Sequence, residues 1–392
     1  MQKTGVKMPN IQLNSGVFGW MMLISLFSCT KENTPEKPLL PDPTDESRYD
    51  FINQEEVFGF YNQSRYSYCP SLVKELDGNV HLFFCGNPEQ LVMVDHIYHI
   101  QIHPDGTQTL PESVVQPGPS GSWDDHHICD PSVIGGSFRM GGNTYKYAMF
   151  YLTNQYDVYY NEVGVAFSND LSAGQWVKYP QQLLKKTWAH EGDEQLPNGG
   201  KSWGVGQPSA VSLDQKGEVL LTYTVGDKNG TRIEWVRLNL TDMDTYEPIP
   251  STRMVDNGLV NIDYTGRDYT CNSDFAIDPE ENVIVMVRPV QPHPTTYPAY
   301  LNQSLEVNYM PLDDFLSSSG KWEVMVRIAP YLTGFARNHN AGLERDPYGV
   351  LENWKAPVVY YTVSKEAPDV APSATSHAEW TYHIWRGEVI KQ

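Results

Sequence analysis

The sequence predicts an all-β, five-bladed β-propeller, and two observations carry that prediction. A short polar strand opening followed by a hydrophobic strand recurs five times: Cys69-Pro70-Ser71-Leu72-Val73, Asp130-Pro131-Ser132-Val133-Ile134, Gln207-Pro208-Ser209-Ala210-Val211, Ser273-Asp274-Phe275-Ala276-Ile277 and His339-Asn340-Ala341-Gly342-Leu343. Successive openings lie 61, 77, 66 and 66 residues apart, a period that fits one strand-rich supersecondary unit. A propeller brings one inner strand from every blade to a single axis, so five distant stretches converge on one candidate site.

The strands of each unit follow in order. After the first opening, Asp77-Gly78-Asn79 is turn chemistry, 80–85 is a hydrophobic run, and 95–103 alternates before closing on Pro104-Asp105-Gly106. The second unit runs from Gly141-Gly142-Asn143 into 147–152, 162–168, a turn at Asn169-Asp170, and 175–179. The third has strands at 219–225 and 233–240, the fourth at 283–287, 305–310 and 321–326, and the fifth at 357–363 and 380–390. Third strands end in similar turns, Ser168-Asn169-Asp170-Leu171, Asn239-Leu240-Thr241-Asp242 and Pro311-Leu312-Asp313-Asp314-Phe315, and two fourth strands begin with Trp176 and Trp322. Residues 55–61 precede the first opening and are placed to supply the outermost strand of the last blade, which would leave no exposed edge. Long connections at 111–128, 180–205, 246–270 and 288–302 are the kind that carry function on a rigid scaffold.

Within 392 residues, five such units favour one body, assigned to 51–392. The 28 Lys plus Arg against 48 Asp plus Glu, a net charge of -20, argue against nucleic-acid or anionic-membrane binding by charge. The 24 Tyr and 10 Trp suit half-dry clefts, and equally suit a sheet-rich chain. At the N-terminus, Lys3 and Lys7 precede an apolar stretch at 17–27 that is short for a membrane span and right for a signal-peptide core. It ends in Leu26-Phe27-Ser28-Cys29, which resembles the lipobox of bacterial lipoproteins, with Phe27 a departure from the usual residue at its place. The resemblance implies a signal peptide at 1–28, a lipid on Cys29, and attachment at the outer membrane on the periplasmic or cell-surface side. A Pro- and acid-rich tether follows at 29–50. The four other cysteines, Cys69, Cys85, Cys129 and Cys271, are read as small buried residues near the axis, with two disulfides in any of three pairings or a thiolate-metal cluster as alternatives.

The openings, of which Asp130-Pro131-Ser132-Val133 is the best example, resemble those of the five-bladed propeller glycoside hydrolases, family 43 and its relatives. That resemblance implies an Asp at the first opening as general base, an Asp at the third tuning acidity, a Glu at the fourth as general acid, and a His in the fifth beside a central divalent cation such as calcium. Here the first opening has Cys69, the third Gln207, and the fourth Asn272-Ser273-Asp274 with no Glu. His339 alone matches, as the candidate cation ligand.

Glycosidic hydrolysis generally needs two carboxyl groups across the bond, one protonated and one ionised. Asp130 and Asp274 are the candidate pair, the alternatives being an Asx-turn residue and a backbone hydrogen-bond partner. The densest polar stretch is Trp123-Asp124-Asp125-His126-His127-Ile128-Cys129-Asp130, where His127 or His126 offers a group titrating near neutrality or a metal ligand. Propeller relatives acting on unusual sugars resemble this in replacing one carboxylic acid by His, which implies a His–Asp site. Trp123 and Trp203 suit stacking on a sugar face, and Asp125, His126 and Gln207 suit polar contacts with it. Arg267, Arg288 and Arg337 suit bidentate contacts, and Glu191, Asp193 and Glu194 are a further source of an acid. The expectation is a lipid-anchored hydrolase acting on a glycan, with Asp130, Asp274 and His127 catalytic. A non-catalytic glycan-binding lipoprotein and a polysaccharide lyase are the alternatives.

Overall fold

The computed structural model describes residues 49–60, 65–155, 161–172, 174–185, 203–227, 230–260, 268–290, 302–364 and 382–392, and the statements below concern these. The signal segment, Cys29, Arg267, and the loop carrying Glu191, Asp193 and Glu194 lie outside them.

The first strand, β1 (Tyr49–Phe58), does not join the blade that follows it in sequence. Blade 1 is β2 (Ser67–Lys74), β3 (Val80–Gly86), β4 (His96–Ile102) and β5 (Glu112–Val115). Blade 2 is β6 (His127–Met140), β7 (Asn143–Asn154), β8 (Glu162–Ser168) and β9 (Val177–Lys178). Blade 3 is β10 (Gly204–Ser212), β11 (Glu218–Asp227), β12 (Gly230–Asn239) and β13 (Thr252–Arg253), with β14 (Asp268–Tyr269) paired parallel to β12. Blade 4 is β15 (Asp274–Asp278), β16 (Val283–Val290), β17 (Ser304–Pro311) and β18 (Glu323–Ile328). Blade 5 is β19 (Arg337–Leu343), β20 (Val358–Ser364), β21 (His383–Lys391) and then β1, which pairs antiparallel with β21 from Tyr49↔Lys391 to Phe58↔Ile384. The ring is thus closed by the N-terminal strand, which starts earlier than the sequence reading placed it. The turn expected at Pro311-Leu312-Asp313-Asp314-Phe315 is instead a short helix, α1 (Leu312–Leu316).

The inner strands are buried on both faces, and that explains their unbroken apolar runs. Alternate side chains serve alternate neighbours: Leu72 packs with Tyr360 and Ile384 of blade 5, while Val73 packs with Val133 and Met149 of blade 2. The other blade junctions hold separate cores of the same kind.

Polar contacts complete the ring. Ser71 Oγ accepts from the Val133 amide at 3.3 Å, Ser132 Oγ from Ala210 at 2.9 Å, Ser209 Oγ from Phe275 at 2.9 Å, and Asp274 Oδ2 from Leu343 at 2.8 Å. Four of the five inner strands thereby supply an acceptor to the next. The fifth position is Gly342, where a Cβ would run into the Pro70 carbonyl. This alignment corrects the register of two openings: the fourth is Asn272-Ser273-Asp274 and the fifth Asn340-Ala341-Gly342.

One end of the axis is covered by the loop between β19 and β20. Its successive carbonyls accept from all four other inner strands: Arg345 from Lys74 (2.8 Å), Pro347 from Gly135, Tyr348 from Ser212 (2.9 Å) and Gly349 from Ile277 (2.9 Å). The buried Arg345 guanidinium adds bonds to the Phe275 carbonyl and to Ser132 Oγ (3.1 Å), and lies 3.3 Å from Asp274 Oδ1. The axial space is therefore blind at this end.

Ser209→Ala strips the Phe275 amide of its acceptor and Asp274 of a donor. Denaturant unfolding should show a loss of ~1–3 kcal/mol, the cost of a buried unpaired polar group. Ser71→Ala, which removes the longer bond, should cost less, and equal losses would contradict the relay.

Candidate functional site

Five residues without glycine's freedom adopt left-handed backbone at the axis, one per blade: Cys69 (φ 52°), Asp130 (48°), Gln207 (51°), Asn272 (48°) and Asn340 (38°). In β2, β6, β10 and β19 the ladder slips at that point, so a bulge re-aims the side chain. Such conformations are held by surrounding structure and gather at functional sites. With the neighbouring openings, including Asp274, these five residues line a small pocket that is open at its mouth. No Lys or Arg lines it among the described residues.

Hydrogen bonds run around this ring. Gln207 Oε1 accepts from the Asn272 amide at 2.9 Å, Asn272 Nδ2 donates to Asn340 Oδ1, Asn340 Nδ2 donates to Cys69 Sγ, and the Cys69 thiol bonds the Asp130 carboxyl. Asp130 is 5% exposed, and its Oδ2 has no partner among the described residues. Burial pushes its carboxyl up from 3.8 to about 7, against the Cys69 hydrogen bond and with added repulsion from Asp95. Cys69 is itself driven well above the usual thiol range by burial and by Asp130.

Asp95 is the group the sequence reading missed. It sits just ahead of β4, 2% exposed, with Oδ1 accepting from Tyr66 Oη at 2.7 Å and Oδ2 from Tyr68 Oη at 3.0 Å. Burial would raise its pKa, but the bond and charge of His127, with both tyrosines, outweigh burial and hold it below the ordinary value. His127 Nδ1 lies 3.2 Å from Asp95 Oδ2 and 3.0 Å from the Asp95 amide nitrogen. One nitrogen cannot donate to the first and accept from the second at once. The ionised carboxylate decides in favour of a proton on Nδ1, because a charge-assisted bond is the stronger. In the neutral ring His127 Nε2, buried and without a partner among the described residues, is the nitrogen that carries the lone pair. Neither Asp95 nor the tyrosines stand out in the sequence, since each reads as the start of a strand.

Asp274, by contrast, has no free oxygen. Oδ1 accepts from Ser209 Oγ at 2.6 Å and faces Arg345, and Oδ2 accepts from Leu343. The sulfurs of Cys69, Cys85 and Cys129 lie within 4.8 Å of one another and of the Asp130 carboxyl. Cys85 and Cys129 form a disulfide joining blade 1 to blade 2, which takes two of the sulfurs and removes the thiolate-cluster alternative. Cys85 Sγ also accepts from the Asp130 amide at 2.9 Å, while Cys69 and Cys271 remain thiols.

The other candidates are more scattered. Trp203 is half-buried against the aromatic cluster around Tyr66 and Tyr68. Trp123 packs into the blade 1–2 core, its ring stacked 6.5 Å from Tyr151. His126 places its ring 4.1 Å from that of His127, and Asp125 accepts from the Gly121 amide at 2.6 Å. Arg337 is buried at the first position of β19, and Arg288 is paired with Glu306 at 2.9 Å. His339 is buried beside Asn340, opposite Thr362.

No protein-family model matches the chain. No curated protein matches it. By shape it is similar to Zg3597, a family 117 glycoside hydrolase of the marine bacterium Zobellia galactanivorans, at 9% identity over 87% of this chain and 90% of that one, TM-score 0.52. It is similar too to the catalytic domain of a GH62 α-L-arabinofuranosidase from Coprinopsis cinerea, at 9% identity over 86% and 95%, TM-score 0.54. A third is an N-acetylgalactosamine deacetylase from F. plautii in complex with blood group B trisaccharide, at 13% identity over 88% and 95%, TM-score 0.50. At these identities the likeness is one of fold.

Two outcomes check this geometry. Under denaturing alkylation without reductant, peptide mapping should label Cys69 and Cys271 and spare Cys85 and Cys129; labelling of all four would refute the disulfide. The second concerns Asp130, whose folded value exceeds its unfolded one. Below about pH 4 both states are protonated; as pH rises towards 7 the unfolded chain ionises first, and stability is lost. Asp130→Asn should therefore gain stability at pH 7–8, by at most ~4 kcal/mol, and the gain should fade as pH falls towards 4. A variant no more stable than the parent at pH 8 would contradict the buried acid.

Proposed function

We propose that this protein is a carbohydrate-active hydrolase whose acid and base at the propeller axis are Asp130 and His127, with Asp95 orienting the imidazole. The observation that carries the reading is the pair of buried, unpartnered atoms three residues apart on β6, Asp130 Oδ2 and His127 Nε2. Buried polar groups are nearly always satisfied, and exceptions call for a role. A carboxyl raised to about 7 is protonated over much of the neutral range and can give its proton to a leaving oxygen. His127 Nε2, with Nδ1–H held by Asp95, can take a proton from water. In this reading Asp274 is architectural, since its oxygens serve the blade relay.

Relatives of this shape include proteins named for glycosidase and for deacetylase activity. Glycosidic cleavage is the first reading, because Asp130 offers a protonated acid while Asp95, its pKa pushed the other way, stays ionised and orients the base His127. The absence of Lys and Arg from the described pocket lining disfavours a lyase acting on uronates, which needs a cation to neutralise the carboxylate. A central calcium beside His339 does not fit these donors either. A hard cation takes six or more oxygens, whereas Cys69 presents sulfur and the Gln207 and Asn340 amide oxygens are already engaged. Trp203 and the Gln207 and Asn272 side chains form the proposed sugar-binding surface. The lipid anchor on Cys29 and an outer-membrane location belong to the proposal on the strength of Leu26-Phe27-Ser28-Cys29; labelling with radioactive palmitate, abolished by Cys29→Ala, checks them.

The functional test uses methyl glycosides and plant or algal oligosaccharides, scored for released reducing sugar and for released acetate. Asp130→Asn and His127→Gln should each lower kcat by ~100-fold or more while circular dichroism stays unchanged. The parent's rate should fall as pH rises through about 7, as the acid loses its proton. Retention of glycan without product would indicate a binding protein, and acetate without reducing sugar a deacetylase. Full activity in both variants would remove Asp130 and His127 from the chemistry.

A further inference from the structure

The hydrogen-bonded ring at the axis is interrupted at one junction. Gln207 connects to Asn272, Asn272 to Asn340, Asn340 to Cys69, and Cys69 to Asp130. Between Asp130 of blade 2 and Gln207 of blade 3 the described residues supply no bond. The two groups facing this gap are Asp130 Oδ2, which has no partner among the described residues, and Gln207 Nε2, the donor end of an amide whose oxygen is engaged by Asn272. The orientation of the Gln207 amide is fixed by its other end, because Oε1 accepts from the Asn272 amide. Both residues line the same blind pocket.

We propose that Gln207 is a further catalytic residue: its Nε2–H and the Asp130 carboxylic acid are two donors that converge on the leaving oxygen of the bond cleaved. This deepens the reading of Asp130 as the acid and rests on it. As the bond between the anomeric carbon and the leaving oxygen breaks, the Asp130 proton passes to that oxygen, giving an alcohol. Water adds its hydroxyl to the anomeric carbon and its second proton goes to His127 Nε2, so one water is consumed and the site is restored by proton exchange. Gln207 loses no proton; it stabilises the negative charge that builds on the oxygen before the transfer is complete. A pair of donors fixed by a strained ring needs no reorganisation when that charge appears, which is how oxyanion-stabilising groups act. The leaving group it serves is a neutral alcohol, such as a second sugar, because no basic residue among those described lines the pocket to receive an anionic one.

Assistance to a leaving oxygen matters in proportion to how poorly that oxygen leaves. The experiment therefore compares p-nitrophenyl and methyl glycosides of the same sugar, screened over L-arabinofuranosides, D-xylosides and D-galactosides, with the full chain and with Q207A, Q207E and D130N. Q207A need not unfold the protein, because the Asn272 amide has a second acceptor in Thr224 Oγ1 at 3.0 Å. Q207E keeps the acceptor and loses the donor. Both Gln207 variants should lose ~100-fold or more in kcat/KM on the methyl glycoside and less than ~10-fold on the p-nitrophenyl glycoside, in parallel with D130N. Equal losses on both substrates would reduce Gln207 to a binding or structural residue. Leaving-group dependence in D130N without it in Q207A and Q207E would overturn the inference and leave the reading of Asp130 standing. No such dependence in any variant, or no turnover of any glycoside by the parent, would overturn both.

Discussion

A backbone amide buried between two blades must find an acceptor, and in this propeller the acceptor comes from the neighbouring inner strand. Ser71, Ser132, Ser209 and Asp274 each hand one oxygen to the amide of the next blade. The requirement fixes the third residue of each opening and sets the inner strands in register around the axis. Where the last blade meets the first, the backbones come too close for any side chain, and Gly342 takes the place. Asp274 shows how firmly this constraint acts: a carboxylate at the axis looks catalytic, yet both its oxygens are spent on the relay and on Arg345.

The residue two places earlier in each opening bears the consequence. Locked between the relay and the preceding strand, it adopts left-handed backbone in all five blades, and its side chain is turned into the axial pocket's wall. Left-handed backbone is unfavourable for Cys and Gln in particular, which lack the local hydrogen bonding that suits Asn and Asp to it. At Asp130 the backbone is tied directly to the Cys85–Cys129 disulfide, its amide donating to Cys85 Sγ at 2.9 Å. A crosslink spanning 44 residues of chain stabilises by ~4 kcal/mol in the chain-entropy picture, comparable with the cost of burying an acid that would otherwise ionise.

The architecture was legible because it is written in local chemistry. The recurring Pro-Ser openings, the turn sequences after third strands and the apolar runs all report local rules of turns and packing, and even the closing N-terminal strand followed from the need to cover an edge. The site was legible only where it coincided with the repeat. Asp130 and His127 stood in a conspicuous polar run. Asp95, Tyr66 and Tyr68 did not, because their importance lies in meeting across blade 1, and meeting is a property of register that no single segment carries. For the same reason the sequence places the fourth opening one residue late, at Ser273, and the fifth one residue early, at His339: Asn272 and Asn340 share their backbone conformation with Cys69, Asp130 and Gln207, not their residue type.

The proposed chemistry depends most on Asp130 being an acid at neutral pH, kept protonated by burial and by the charge of Asp95, while Asp95 stays ionised beneath two tyrosines and an imidazole. The direct measurement is a carbon-13 NMR titration of the protein labelled at its aspartate carboxyls, with Asp130→Asn to assign the signal. One aspartate should titrate near 7 and be absent from the variant, and a second, Asp95, should stay ionised throughout the neutral range. If every aspartate titrated below about 5, the axis would hold no acid and the proposed chemistry would fail with it.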